Sequence, residues 1–342
     1  MLKLDCKIRK FSTQNRLRKN EMANIALLNR CNLRCPYCFA DSYTGKEKED
    51  IDIDTFLSLL DFISSEGNVG IIGGEPLLHK DIDKILQILE NDFRFYRVTI
   101  FTNGIFLDRV LERLVDSKFE LLVNVNSSKD IGKANFEKMV KNVTEATRLL
   151  GKGRVNLGIN VYEKNQDFSE FLSLCKELES EKIRVSLVIP QNKEGGSIRY
   201  FKAMKGTLLK LYRSLLELNI SPCYDCNAIP SCIFSEEEKK LLEDLPFEYD
   251  KEREIFLGNR SVCSPVIDLY PDKTATRCFG MYDSLRVKIE DFESLNDLKN
   301  YFFKEIDCRL VNIESCEDCK NCYKYKIFSC YGGCLAYKEM KK

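Results

Sequence analysis

Short apolar runs and longer amphipathic segments alternate six times between residues 22 and 190. The apolar runs have the length of strands and few polar interruptions, which is typical of strands buried on both faces of a parallel sheet. They occupy residues 24–29, 68–73, 97–102, 120–126, 154–161 and 183–189. The segments between them repeat apolar residues at helical spacing, and several begin at an Asp or Ser that can cap a helix. The alternation predicts an α/β fold with parallel strands and external helices.

Six strand–helix units leave two architectures open. They are two units short of a closed eight-fold barrel, so a partial barrel and an open doubly wound sheet both fit the pattern. After Gly196 the alternation stops, and a helical segment, a cysteine-bearing loop and a charged stretch follow. We predict an N-terminal extension over 1–20, a strand–helix domain over 21–195, a helical bridge over 196–254 and a small cysteine-rich C-terminal domain over 255–342.

The charge balance and the N-terminal sequence argue against several classes of protein. The 342 residues include 53 basic and 53 acidic side chains, so the formal net charge is zero. This balance argues against charge-driven binding to nucleic acids or acidic membranes. The first twenty residues are basic and lack the apolar run of a secretory signal, and no stretch approaches the ~18 apolar residues of a membrane span. We therefore expect a cytoplasmic protein that binds neither nucleic acid nor membrane.

The chain contains 16 cysteines but a single histidine, His79. In a reducing compartment, clustered cysteines bind metal more often than they form disulfides. With one histidine available, the metal sites must be almost purely thiolate, which leaves iron–sulfur clusters or Cys₄ zinc sites. We expect His79 to be a surface or capping residue, and the isolated Cys6 and Cys175 to be plain structural cysteines.

Three cysteines follow the first predicted strand in the stretch CNLRCPYCFA: Cys31, Cys35 and Cys38. The carboxyl ends of parallel strands are where α/β folds build their sites. Three thiolates can hold three irons of a four-iron cluster and leave the fourth iron open to a group that is not protein, whereas a structural site closes all four positions. A partial zinc knuckle is the alternative.

The spacing C-x3-C-x2-C, with the aromatic Tyr37 before the last cysteine, resembles the signature of the radical S-adenosylmethionine (SAM) superfamily. The resemblance implies that the open iron is chelated by the amino and carboxylate groups of SAM. It also implies that an electron from the cluster cleaves SAM to methionine and a 5′-deoxyadenosyl radical. The implied fold over about residues 20–195 is a partial (βα)6 TIM-like barrel. The implied partner is an electron donor such as a flavodoxin or a ferredoxin.

A second motif, Gly73, Gly74, Glu75 and Pro76, follows the second predicted strand and resembles the GGEP motif of the same superfamily. Glycines allow a backbone to approach a ligand closely, and a carboxylate can accept a hydrogen bond from the ammonium group of methionine. The resemblance implies that this motif binds SAM.

The ends of the third and fourth predicted strands also resemble the superfamily pattern. Thr102 and Asn103 belong to a TNG sequence, and the resemblance implies that they face SAM. Asn124 and Asn126 stand where relatives often have S-x-D, and we expect them to bind the cofactor too. Asparagine keeps the hydrogen-bonding capacity of that position but lacks its charge.

The C-terminal cysteines resemble the SPASM extension, which carries two auxiliary [4Fe–4S] clusters. Cys263 and Cys278 match its first pair; its second group is matched by Cys319, Cys322, Cys330 and Cys334, with seven residues in place of five between the middle two, and the usual last cysteine is missing. We predict one cluster on Cys316, Cys319, Cys322 and Cys330, and another on Cys263, Cys278 and Cys334 completed by Cys226 or Cys232. A single auxiliary cluster, a Cys₄ zinc site, or a free redox thiol at Cys226 or Cys232 are the alternatives.

These resemblances imply an enzyme that modifies a ribosomally synthesised peptide by a thioether or carbon–carbon crosslink, an epimerisation or an oxidation. The first alternative is a radical SAM enzyme acting on a small molecule in cofactor or metabolite biosynthesis. The second is a non-catalytic iron–sulfur or zinc protein. Because the first strand begins near Asn24, we expect a separate partner or the C-terminal domain to recognise any leader peptide.

Overall fold

The computed structural model of the protein describes residues 22–44, 48–115, 118–188, 196–224, 229–247, 263 and 266–339. The strands are β1 (Met22–Ala26), β2 (Asn68–Ile72), β3 (Arg97–Thr102), β4 (Phe119–Asn124), β5 (Val155–Val161), β6 (Lys182–Leu187), β7 (Ser221–Tyr224), β8 (Ile267–Leu269), β9 (Thr274–Thr276) and β10 (Arg286–Lys288). The helices are α1 (Asp41–Thr44), α2 (Ile53–Phe62), α3 (Ile82–Asn91), α4 (Leu111–Leu114), α5 (Ser128–Ile131), α6 (Lys133–Leu150), α7 (Ser169–Glu177), α8 (Gly196–Glu217), α9 (Glu236–Glu243), α10 (Leu295–Phe302), α11 (Cys308–Leu310), α12 (Tyr323–Lys326) and α13 (Leu335–Glu339).

All ten strands belong to one sheet in the order β10-β9-β8-β1-β2-β3-β4-β5-β6-β7. Strands β1 to β7 are parallel and neighbour one another in chain order. A doubly wound sheet reverses its strand order at a switch point, whereas a barrel does not. The order therefore selects the partial (βα)6 barrel, and the six predicted strands are confirmed to within three residues at each end.

Two parallel strands lie outside the six predicted units. β7 extends the sheet beyond β6, and β8 pairs in parallel with β1 through Ala23 opposite Ile267. The buried side chain of Asn24 reinforces this second pairing by donating a 2.7 Å hydrogen bond to Asp268. The cysteine-rich C-terminal segment thus continues the barrel sheet on its β1 side, and the predicted domain boundaries stay a prediction.

The core lies mainly between the strands and the external helices. Ile25, Ile71 and Ile100 of the first three strands pack there with Phe56 of α2 and Leu86 of α3, and all five are fully buried. Asp52 caps α2 by accepting a 2.8 Å hydrogen bond from the amide of Thr55, as the sequence pattern predicts. Within the described ranges, none of the helices combines the length and the apolar composition that a membrane span requires.

A second, smaller core joins the loop after β1 to the C-terminal segment. Its buried members are Ala26, Ala40, Tyr43, Ile72, Tyr270, Phe279 and Tyr282, with Cys38 and Phe101 packed against it. Tyr43 lies 5.2 Å from Tyr270 between ring centroids, and Phe39 lies 5.4 Å from Phe279 in an edge-to-face contact. The cysteine loop is therefore held in place partly by residues from the other end of the chain.

Candidate functional site

The loop that leaves β1 carries Cys31, Cys35 and Cys38 at the carboxyl end of the strand. A turn closes it, since the amide of Cys38 donates to the carbonyl of Cys35 at 3.1 Å. Burial, with contributions from the neighbouring thiols of the loop, raises the pKa of the Cys31 thiol to about 11 and that of Cys35 to about 12. Deprotonated together, the three thiolates would repel one another, and bound iron would offset that repulsion.

The donor set of this loop fits an iron–sulfur cluster. The three thiols interact electrostatically with one another, and sulfur-only ligation is what a cubane cluster requires. Within the described ranges, no three Cys, His, Asp or Glu side chains converge as tightly as the ligands of one metal ion do. A cubane holds its thiolates farther apart than one ion does, because each thiolate binds a separate iron. Cys31, Cys35 and Cys38 would hold the cluster.

The glycines of the GGEP motif let the end of β2 lie against the cysteine loop. The amide of Gly74 donates to the carbonyl of Leu28, and the amide of Glu75 donates to that of Arg30, both at 2.8 Å. A Cβ atom on Gly74 would lie 2.0 Å from the carbonyl oxygen of Arg30, and one on Gly73 would lie 2.5 Å from that of Leu28. This close contact between two backbone segments explains why both positions are glycine. The sequence had suggested a different reason, the close approach of a ligand.

Glu75 ties the end of β2 to the end of β3. Its carboxylate accepts hydrogen bonds from the hydroxyl of Thr102 and the amide of Asn103, both at 2.8 Å, and from the amide of Leu77 at 3.2 Å. Burial raises its pKa to about 7, and the three donors act in the opposite direction. A carboxylate offers about four acceptor positions, so one remains for a further donor such as an ammonium group.

Replacing Glu75 by Gln is expected to lower 5′-deoxyadenosine formation from SAM at least tenfold. The new NH₂ group would face amide and hydroxyl donors, and a hydrogen bond to a charged acceptor contributes about 1.5–3 kcal/mol. The measurement is product formation under saturating reductant, with the iron content determined in the same sample. Glu137→Gln on the exposed face of α6 is the matched control. Full activity in Glu75→Gln at full iron content would contradict this role.

Asn126 connects the fourth strand to the cysteine loop. Its side-chain oxygen accepts a short hydrogen bond from the hydroxyl of Tyr37 and lies 3.5 Å from the sulfur of Cys35. The amide group of Asn124 donates to the same oxygen at 3.0 Å. Both asparagines therefore belong to the site, and Asn126 directly supports the loop.

Two residues that contact this site were not predicted from the sequence. The ring of Tyr162 stacks on Tyr37 with 4.3 Å between centroids, and its hydroxyl donates to both carboxylate oxygens of Asp130 at 2.9 Å. Asp130 lies four residues after Asn126, so a carboxylate is present near this strand end although the strand itself ends in asparagines. The signals were the position of Tyr162 directly after the fifth predicted strand and the short distance of Asp130 from Asn126 along the chain.

His79 is a buried capping residue. Its Nε2 lies 2.9 Å from the carbonyl oxygen of Ile51, and its Nδ1 accepts the amide of Asp81 at 3.1 Å. Burial lowers its pKa, which favours the neutral ring that both contacts need. Pro76 starts the short 3₁₀ turn that precedes it. Neither side chain reaches the cysteine loop through a described contact, and Cys175 is buried in α7.

Cys263, Cys278 and Cys334 form one group of thiols in the C-terminal segment. Burial, with a contribution from Cys263, raises the pKa of Cys334 to about 12. The pKa of the Cys278 thiol is raised by burial and by Cys263 and Cys334. Three thiols that interact electrostatically fit the ligand set predicted for one auxiliary cluster. Cys226, one of the two residues suggested to complete it, lies outside the described residues.

Cys232 lies with the other group of C-terminal thiols. Burial raises its pKa, and so do Cys330, Cys316 and Cys322. Within that group the sulfurs of Cys316 and Cys319 are 3.5 Å apart. The structure thus brings five thiols together where four were predicted, and it draws Cys232 away from the alternative position beside Cys263.

Replacing Cys232 by Ser is expected to alter the same auxiliary cluster signal that Cys322→Ser alters. The reason is that its sulfur interacts with Cys316, Cys322 and Cys330. Electron paramagnetic resonance of the reduced protein compares the two variants, and Cys278→Ser serves as the contrast. If Cys232→Ser instead reproduced the spectrum of Cys278→Ser, Cys232 would belong to the other group.

A sequence model of the radical SAM superfamily matches residues 25–188. Among curated proteins, GTP 3′,8-cyclase of Chlorobaculum tepidum is 32% identical over 112 residues, which are 32% of this chain and 33% of that protein. A probable GTP 3′,8-cyclase of Methanococcus vannielii is 27% identical over 165 residues, 45% of this chain and 54% of that protein. The chain spans about half or less of the length of these curated relatives.

Two solved structures share the fold over nearly the whole chain. SuiB of Streptococcus suis bound to S-adenosylmethionine superposes with a TM-score of 0.62 at 17% identity and covers 97% of this chain and 77% of its own. The protein anSMEcpe with bound AdoMet superposes with a TM-score of 0.59 at 19% identity and covers 92% of this chain and 88% of its own. These likenesses extend from the barrel into the C-terminal segment.

Proposed function

Since this chain belongs to the radical SAM superfamily, we propose that it cleaves SAM reductively and uses the resulting 5′-deoxyadenosyl radical to modify a ribosomally synthesised peptide. The product is a thioether or carbon–carbon crosslink, an epimer or an oxidised residue. The observation that carries the peptide substrate is the extent of the shared fold. Solved forms of the two neighbours hold a precursor peptide, SuiA, and a peptide named Kp18Cys, and their superpositions cover 97% and 92% of this chain.

A cluster held by Cys31, Cys35 and Cys38 would supply the electron that cleaves SAM. The residues of the chain position the reactants around it. Glu75 offers its remaining acceptor position to the ammonium group of SAM. Thr102 and Asn103 hold the carboxylate of Glu75 in place through their hydrogen bonds to it. Tyr37 and Asn126 support the loop from the fourth strand. The buried aromatic core beneath Cys38 keeps water away from this side of the site, which protects a radical from side reactions.

The barrel interior offers groups that can pair with peptide amides. Asn160 donates to the side-chain oxygen of Asn124 at 2.8 Å, and the guanidinium of Arg184 donates to Asn160 at 3.1 Å. Carboxamides can both donate to and accept from a backbone amide, so this patch suits a peptide that enters the open side of the barrel. Positioning of the target carbon close to the radical is what hydrogen abstraction requires.

A second candidate is a radical SAM enzyme acting on a small molecule. The observation that favours it is the set of curated relatives, which includes GTP 3′,8-cyclases and probable GTP 3′,8-cyclases at 24–32% identity. Their similarity covers less than half of this chain. A non-catalytic iron–sulfur or zinc protein would need neither the open thiol loop nor the buried Glu75.

Anaerobically reconstituted protein, given SAM and a reductant, tests the proposal. We expect 5′-deoxyadenosine, and we expect a candidate peptide co-expressed with the enzyme to change mass. GTP in place of peptide is the matched alternative substrate. A change in GTP without any change in peptide mass would favour the second candidate, and absence of 5′-deoxyadenosine with every reductant would reject both. A flavodoxin or ferredoxin is the proposed electron donor, and a separate leader-binding protein is a proposed partner.

Metal content distinguishes the arrangements of the C-terminal cysteines. Two auxiliary clusters together with the SAM cluster predict roughly 12 irons per chain, one auxiliary cluster roughly 8, and a zinc site roughly 4, at four irons per cubane. The two thiol groups lead us to expect the highest value. Iron and zinc analysis of anaerobically purified protein gives the answer, and one zinc with about four irons would contradict the two-cluster proposal.

A further inference from the structure

A fully buried arginine is aimed at one of the C-terminal thiols. Arg277 directly precedes Cys278, and its exposed fraction is 0%. Its Nη1 donates to the sulfur of Cys263 at 3.2 Å, and its Nη2 lies 3.4 Å from the carbonyl oxygen of the same residue. The opposite side of the guanidinium binds Asp307, through Nη2 to Oδ2 at 3.2 Å and through a shorter contact from Nε.

Stability alone does not account for this arrangement. Burying an ion pair costs about as much as it returns, and an apolar pair of similar volume would often be as stable. The pair with Asp307 satisfies only one side of the guanidinium fork. The other side brings a permanent positive charge to the sulfur of Cys263, which interacts with Cys278 and Cys334. The position of the cation is therefore explained by its interaction with the thiol group.

We propose that Arg277 is a positioning residue that raises the reduction potential of an iron–sulfur cluster held by Cys263, Cys278 and Cys334. Reduction adds one electron and so one negative charge to a cluster. A hydrogen bond to a ligand sulfur and a nearby buried cation both stabilise the reduced form. The negative charge of Asp307 opposes this effect. It acts more weakly than the cation because Asp307 binds the side of the guanidinium that faces away from the sulfur of Cys263. The inference rests on the auxiliary cluster of the proposed function.

Neutralising the pair tests the charge. The background is the Cys31→Ala/Cys35→Ala/Cys38→Ala variant, which lacks the first cluster, and the signal followed is the paramagnetic component that Cys278→Ala removes. In this background, Arg277→Met/Asp307→Leu is expected to lower the reduced-to-oxidised ratio of that component at least tenfold at a fixed ambient potential, which is 59 mV for one electron. Asp307→Asn, which keeps the cation and removes its counter-charge, is expected to raise the ratio.

The two variants are expected to change the reduced-to-oxidised ratio in opposite directions. A purely structural role of the pair cannot produce this result, because a loosened site would change the ratio of both variants in the same direction. The control is Lys299→Met/Glu66→Gln, which neutralises a different, largely buried ion pair and should leave the ratio within twofold. Unchanged or parallel shifts overturn the proposal. If Cys278→Ala removes no component at all, the cluster site itself is absent and the inference fails with it, while SAM cleavage by the first cluster can still be intact.

Discussion

The Cys31→Ala/Cys35→Ala/Cys38→Ala variant is expected to lose about four irons per chain and all formation of 5′-deoxyadenosine. The three thiols form the only sulfur group at the carboxyl end of β1 among the described residues, so no neighbouring cysteine can replace them. The two C-terminal thiol groups are built from other residues, and their iron is expected to remain. Iron and sulfide analysis, together with chromatography of the nucleoside product, measures both expectations.

Cys175→Ala is the matched control for that variant. Cys175 is buried in α7 and, in the described part of the chain, no other thiol shifts its pKa. It should keep its iron and its activity. Loss of all iron in the triple variant would contradict independent sites and would indicate a shared folding unit. Retained 5′-deoxyadenosine would remove the cysteine loop from the mechanism.

The cysteine loop and the C-terminal segment pack into one core, which is a physical reason why they could fold as a single unit. Tyr43 follows the cysteine loop, and Tyr270 and Phe279 flank the stretch that leads to Cys278, yet all three pack into one buried core. Edge-to-face and tilted aromatic contacts of this kind add about 0.5–1.5 kcal/mol each beyond the area they bury. The loop that would bind SAM is therefore stabilised by the cysteine-rich segment, which lies far away along the chain.

The six central strands were predictable because each contains a mostly apolar run of strand length, although β3 and β4 alternate buried with less buried residues and so are fully buried on one face only. β7 and β8 were not, since strands of four and three residues are too short to show a period. β8 is also placed by a pairing with β1 that joins Ala23 to Ile267 across most of the chain. Pairings of this range depend on the assembled sheet and leave no local pattern.

The same distinction applies to the site. The cysteine loop and the GGEP motif are local, and their sequence spacing carries the chemistry. The stacking of Tyr162 on Tyr37 and the approach of Cys232 to Cys322 depend on tertiary contacts between segments that are distant in sequence. The sequence offered Cys232 as a ligand beside Cys263, whereas the thiols that raise its pKa in the structure are Cys330, Cys316 and Cys322. Composition indicates which residues can bind metal but not which of them lie together.

Gly74→Ala is expected to reduce SAM cleavage at least a hundredfold. Its new Cβ atom would lie 2.0 Å from the carbonyl oxygen of Arg30 and 2.4 Å from the carbonyl carbon. Both contacts are with backbone, so no side-chain rotation relieves them, and the cysteine loop must move away from β2. That movement breaks the 2.8 Å hydrogen bonds of Gly74 to Leu28 and of Glu75 to Arg30. A displacement of about 1 Å in a catalytic site can cost a hundredfold in rate.

Gly206→Ala separates this effect from the general effect of adding a methyl group. Gly206 lies in α8, where an added Cβ would meet nothing within 4 Å beyond its chain neighbours and the nearby backbone of its own helix, and alanine there should stabilise the helix by up to ~1 kcal/mol. The two variants are compared by iron content, thermal unfolding and 5′-deoxyadenosine formation. Gly74→Ala should unfold at lower temperature, since overpacking costs about 1–3 kcal/mol, while Gly206→Ala keeps full activity. Because the clash lies between β2 and the cysteine loop, a Gly74→Ala protein that retained wild-type activity would mean that the loop does not need this backbone contact to position SAM.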